Sequence, residues 1–119
     1  MSKSVAHHRI TYIEFTTADI ERTKQFYGAV FGWNFQDWGP EYIGLEGAGI
    51  EGGFAKGEPN HAHLKSAPLV ILYSADLEAT EAAVVAAGGS IVVPTFVFPG
   101  GRRFHFADGL GNVLAVWSE

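Results

Sequence analysis

The stretch "TADIERTKQFYGAVFGW", Thr17 to Trp33, returns in fainter form 57 residues later as "SADLEATEAAVVAAGG", Ser74 to Gly89. Thr17 falls on Ser74, Ala18 on Ala75, Asp19 on Asp76, Ile20 on Leu77, Glu21 on Glu78 and Thr23 on Thr80. Tyr27 then meets Val84, and Val30 meets Ala87. Positions 20, 23, 27 and 30 are spaced by three, four and three, so both copies predict a helix with one apolar stripe. Asp19 and Asp76 stand where a carboxylate accepts the free N–H groups of a first helical turn. Gly32 and the pair Gly88-Gly89 stand where a helix ends on a left-handed residue.

A strand-like segment precedes each copy. "RITYIEFT" (9–16) alternates, with Ile10, Tyr12 and Glu14 on one face and Thr11, Ile13 and Phe15 on the other. "PLVILY" (68–73) is apolar throughout, the pattern of a strand covered on both faces. After the first helix come "WNFQDW", "EYIGLE" and "GIEGGFA"; after the second come "SIVVPTFVF", "RRFHFA" and "NVLAVWS". Glycine-rich breaks separate them, and Pro94 marks an edge strand or a bulge. The expected architecture is α+β: two tandem βαβββ modules, each a helix on a small antiparallel sheet, curling together into a cupped mixed sheet around a cleft. The expected boundaries within this single domain are about 9–56 and 68–118, with a polar linker at about 57–67.

Composition narrows the function. With 47% hydrophobic and 18% charged residues, the chain has the balance of a soluble globular protein. Eight basic side chains against 13 acidic ones give a net charge of -5, which argues against a nucleic acid partner. The longest apolar run, "LVILY", is strand-sized, so no membrane span is expected. "MSKSVAHHR" lacks the apolar segment of a secretion signal. The absence of cysteine excludes disulfides, thiolate metal sites and cysteine nucleophiles, and a cytoplasmic location is expected.

The βαβββ repeat, "FYGAVFGW" closing the first helix, "AAGG" closing the second and the terminal "FADGLGNVLAVW" together resemble the vicinal oxygen chelate superfamily. That group holds glyoxalase I, extradiol dioxygenases, and bleomycin and fosfomycin resistance proteins. The resemblance spans nearly the whole chain and implies a pocket for a small molecule and a homodimer. It also implies a divalent metal that grips two neighbouring substrate oxygens. The family's ligand positions map onto Tyr12, Leu69 and Ala115, with Glu51 the only carboxylate in the fourth strand. Leucine and alanine ligate nothing, so the expectation is a protein with no metal and no other cofactor.

Candidate site residues follow from strand alternation. Glu14, flanked by Tyr12, is read as looking into the cleft. Burial there would raise its pKa and suit it to act as a base or substrate anchor; a purely structural carboxylate is the alternative. His105 alternates with Phe104 and Phe106, which makes it either an acid–base group or a hydrogen-bonded structural histidine. Arg103 shares its face and would favour a carboxylate-bearing ligand, unless it is simply solvated. Tyr12, Tyr73, Arg103 and Trp117 are the candidate ligand contacts, Tyr73 and Trp117 as aromatic walls. His61 and His63 are spaced for a shared metal but lie in the linker, and His7 and His8 carry no assignment. "GAGIEGG" reads as a turn and a bulged strand.

Three functions remain open. The first is a metal-independent, lyase- or isomerase-like relative of the glyoxalases, acting on a small carbonyl or aromatic compound through Glu14 and His105. The second is a non-catalytic drug- or toxin-binding protein of bleomycin-resistance type. The third is a protein whose cleft is filled by its own side chains and which works by pairing with another chain.

Overall fold

The computed structural model describes residues 7–58 and 67–119. In chain order the elements are β1 (Ile13–Thr17), α1 (Ile20–Phe31), β2 (Asn34–Asp37), β3 (Tyr42–Glu46) and β4 (Gly52–Lys56). They are followed by β5 (Ile71–Tyr73), α2 (Leu77–Ala86), β6 (Ser90–Phe98), β7 (Gly101–Ala107) and β8 (Val113–Ser118).

The repeat extends to individual hydrogen bonds. Asp19 caps α1 by accepting from the Arg22 amide at 3.1 Å, and Asp76 caps α2 by accepting from the Ala79 amide at 3.1 Å. One turn deeper, Thr17 and Thr23 share a hydroxyl bond of 2.6 Å, matched by Ser74 and Thr80 at 2.7 Å. Gly32 ends α1 in the left-handed region, with φ of 74°. At the end of α2 the two glycines divide the work. Gly88 takes the left-handed conformation, while a Cβ at Gly89 would lie 2.9 Å from the Ala107 carbonyl oxygen.

The strands form two four-stranded sheets, ordered β1-β4-β3-β2 and β5-β8-β7-β6. Neither is purely antiparallel: β1 runs parallel to β4, and β5 parallel to β8. The helix carries the chain back to the start of the first strand. Two reversals then return the module's last strand in the first strand's direction. β6 is an edge strand whose register slips on both sides of Val93, where Pro94 sits. β5 corrects the reading of "PLVILY". It is a short edge strand, and Ile71 and Tyr73 are 42% and 52% exposed, so only one of its faces is covered.

The core lies on the helix side of both sheets. Ile20, Phe26 and Tyr27 of α1 pack with Ile43, Phe54 and Trp33, while Leu77 and Val84 of α2 pack with Phe104, Phe106, Leu114 and Val116. The two modules meet there as well. Phe26 lies against Phe106, and Tyr27 donates to the buried Asp108 carboxylate at 2.8 Å. The Ala18 amide reaches the Leu110 carbonyl at 3.1 Å. Among the described residues no helix is long and apolar enough to cross a membrane.

Candidate functional site

Because the helices cover one face of each sheet, strand alternation turns the other face outward. On the first sheet that face carries Glu14, Tyr42 and Gly53, since Glu14 is in register with Gly53 and Gly53 with Gly44. Gly53 is small by necessity, because a Cβ there would stand 2.5 Å from the Tyr42 ring. Across that gap the Tyr42 hydroxyl donates to Glu14 Oε1 at 3.0 Å. Its one proton is then committed, so the Tyr12 hydroxyl must be the donor in the 2.5 Å contact with Tyr42. The result is a chain Tyr12 to Tyr42 to Glu14 that ends on a carboxylate. Burial first, then Tyr12 and the Glu14 charge, push the Tyr42 phenol far above its ordinary pKa. Glu14 itself is exposed rather than buried, and its partner is a phenol rather than an arginine or backbone amide.

On the second sheet, Arg103 and His105 of β7 stand opposite Trp117 and Ala115 of β8. The Arg103 guanidinium lies 5.2 Å from the Phe96 ring centre and 5.4 Å from that of Phe98. The His105 ring lies 5.9 Å from Phe96. Trp117 meets Tyr73 edge-on at 5.1 Å and Phe98 at 6.5 Å, and Tyr73 donates to Glu119 at 2.8 Å. Arg103 is thus half-buried and held among rings.

Two polar atoms in this cluster have nothing to bind. Arg103 Nε and His105 Nε2 are buried and lack any hydrogen-bond partner. Leaving such a group unsatisfied costs about 1–3 kcal/mol. Burial, then the neighbouring Arg103 charge, lower the His105 pKa below its usual 6.5. The adjacent Arg102 points to the helix side and is neutralised by Glu78, whose carboxyl it holds below the usual range. Among the described residues no carboxylate pairs with Arg103.

The structure therefore brings Tyr12 to Glu14, and Tyr73 and Trp117 to Arg103 and His105, but on separate sheets. Among the described residues no hydrogen bond or ion pair joins Glu14 to His105. Sequence reasoning did not tie the Tyr42 phenol to Glu14, nor the Phe96 and Phe98 rings to Arg103. Gly53 was the available signal, since a glycine inside a strand often marks the close approach of another group.

At the positions where the resemblance maps metal ligands, the donors are missing or already engaged. Ala115 is fully buried at the centre of β8, and the Tyr12 hydroxyl is tied to Tyr42. Leu69 has no ligating atom. Among the described residues no three His, Asp or Glu side chains converge, so these positions do not fit the ion. His61 and His63 lie outside the described residues. His7 and His8 stack on each other at 3.8 Å.

Residues 9–48 match a family model described as bleomycin resistance protein-like N-terminal. A glyoxalase/bleomycin resistance/dioxygenase family enzyme from Burkholderia phytofirmans superposes with a TM-score of 0.73 at 19% identity, over 91% of this chain and 96% of that one. The fosfomycin resistance protein FosX from Mesorhizobium loti gives 0.75 at 16% identity, over 92% and 91%. TnmS3, an antibiotic binding protein from Streptomyces, gives 0.65 at 19%, over 92% and 94%. No curated protein matches the sequence. The chain therefore has the glyoxalase/bleomycin-resistance fold, with its tandem modules.

Proposed function

We propose that this protein binds a small organic molecule on the outward faces of its sheets, without a metal ion, and holds it rather than transforming it. The observation that carries this reading is the second sheet's face: aromatic walls around two unsatisfied polar atoms. Pockets for organic ligands pair apolar walls with a few convergent polar groups in this way. TnmS3, which shares the fold, is described as binding an antibiotic. A thermal-shift screen of aromatic and drug-like compounds, run with and without EDTA, tests the reading. Stabilisation by at least one compound class that survives EDTA is expected. No shift from any compound, or shifts that vanish with chelator, would overturn it.

A second reading, a metal-independent enzyme acting on a small carbonyl or aromatic compound, is favoured by one feature. The Tyr12–Tyr42–Glu14 chain could carry a proton to or from a ligand at Glu14. Glu14→Gln would then abolish turnover with the fold intact, and an unimpaired variant would rule Glu14 out as the base. Under either reading the protein works as a homodimer. Ile71 and Val113 are exposed apolar side chains on the second sheet's outward face, next to the free edge of β5. Light scattering after size exclusion should give twice the 12.8 kDa chain mass, and a monomer at micromolar concentration would refute the pairing.

A further inference from the structure

We infer that the ligand is a flat aromatic carboxylate whose acid group is anchored by Arg103 and His105; this rests on the binding reading above. Three observations on the second sheet converge. The Arg103 guanidinium is clamped over the Phe96 and Phe98 rings, and among the described residues nothing accepts a hydrogen bond from it. Two residues along the same strand, on the same face, His105 Nε2 is also buried and unpartnered. Beside them Trp117, Tyr73 and Phe98 present ring surface, so the charged end and the flat end of a ligand have adjacent seats.

The chemistry selects a carboxylate over other anions. A planar guanidinium matches a planar carboxylate edge to edge, and one imidazole supplies a further contact. A phosphate monoester brings more charge and a third oxygen, and the described residues of this face offer no further cation; Arg102 is occupied by Glu78 on the other face. The acid's charge also offsets the Arg103 field that disfavours a proton on His105. Glu14 lies on the first sheet, where its own negative charge is held by Tyr42, so it does not compete for Arg103.

The test uses the intact protein and three probes of one shape, 2-naphthoate, 2-naphthamide and 2-naphthyl phosphate, titrated by calorimetry. The acid is expected to bind at least about tenfold tighter than the amide, and tighter than the phosphate. In Arg103→Gln the ratio of acid to amide affinity should fall about tenfold, to near parity. Equal binding of acid and amide by the wild-type protein overturns the inference and leaves the binding reading intact. So does failure of all three probes while other compounds still give thermal shifts. Stronger binding of the phosphate overturns the choice of carboxylate. Should Arg103→Gln not fold, His105→Gln provides the second variant, and an undiminished acid preference in it overturns the role given to His105.

Discussion

On β7 the imidazole of His105 lies 5.9 Å from the Phe96 ring and shares its face with Arg103; burial first, then the Arg103 charge, depress its pKa. Its other neighbours across the sheet, Val93 of β6 and Ala115 of β8, do not titrate, so Arg103 is the charged group that faces it. Above the unfolded value of 6.5 both states are neutral. As the pH falls through that value, the unfolded chain takes up a proton that the folded chain still refuses. The unfolded state then binds more protons, so stability declines until the depressed folded pKa is passed. Melting temperature followed from about pH 7.5 to 5.5, above the carboxylate range, should therefore drop for the wild-type protein. It should drop less for His105→Phe, and parallel curves would show that His105 is not the group responsible. A saturating aromatic acid should weaken this dependence, because a bound carboxylate opposes the Arg103 field.

At the scale of single elements, the two copies of the strand–helix unit can be weighed against each other. Asp19 and Asp76 make the same cap at the same 3.1 Å, yet α1 buries Ile20, Thr23, Phe26 and Tyr27 where α2 buries only Leu77 and Val84. Losing either cap to alanine should cost about 1 kcal/mol in chemical denaturation. The fraying that follows should be greater in α2, whose packing resists it less, and amide exchange across the two helices would reveal it. Faster exchange in α1 of Asp19→Ala than in α2 of Asp76→Ala would contradict this. These helices and caps were legible in sequence because i, i+3, i+4 spacing and an aspartate before an apolar stripe are local signals. The strand face bearing Glu14 and the one bearing Arg103 and His105 were legible too, from alternation alone. What alternation does not encode is register: which rings clasp Arg103 depends on the double slip in β6, and which phenol meets Glu14 depends on β3 lying beside β4. Burial of "PLVILY" was misread for a similar reason, since an apolar run does not reveal whether its strand is central or at an edge.

For the molecule as a whole, the question is what keeps two similar modules in one fixed arrangement. Among the described residues no strand pair links the sheets, so their arrangement depends on the helix-side seam, and Asp108 is its polar centre. Its Oδ1 accepts from the Leu110 and Asn112 amides at 2.7 and 3.0 Å, which shapes the "DGLGN" turn. Its Oδ2 accepts from the Tyr27 hydroxyl at 2.8 Å and the Asn112 side chain at 3.0 Å, and that side chain also donates to the Thr16 carbonyl. One buried carboxylate thus fixes both the turn of the second module and its hold on the first. The same environment pushes the Tyr27 phenol well above its ordinary pKa, through burial and then the Asp108 charge, so the hydroxyl stays a donor throughout the neutral range. Tyr27→Phe removes one donor while Asn112 still serves Oδ2, and should cost about 1–2 kcal/mol. Asp108→Ala strands four donors in a buried seam and should cost roughly 3–5 kcal/mol. The two losses together should fall short of their sum, because the alanine variant already lacks the bond that phenylalanine removes. Urea denaturation of both single variants and the double variant measures this, and strict additivity would mean that Tyr27 and Asp108 stabilise the two modules separately rather than joining them.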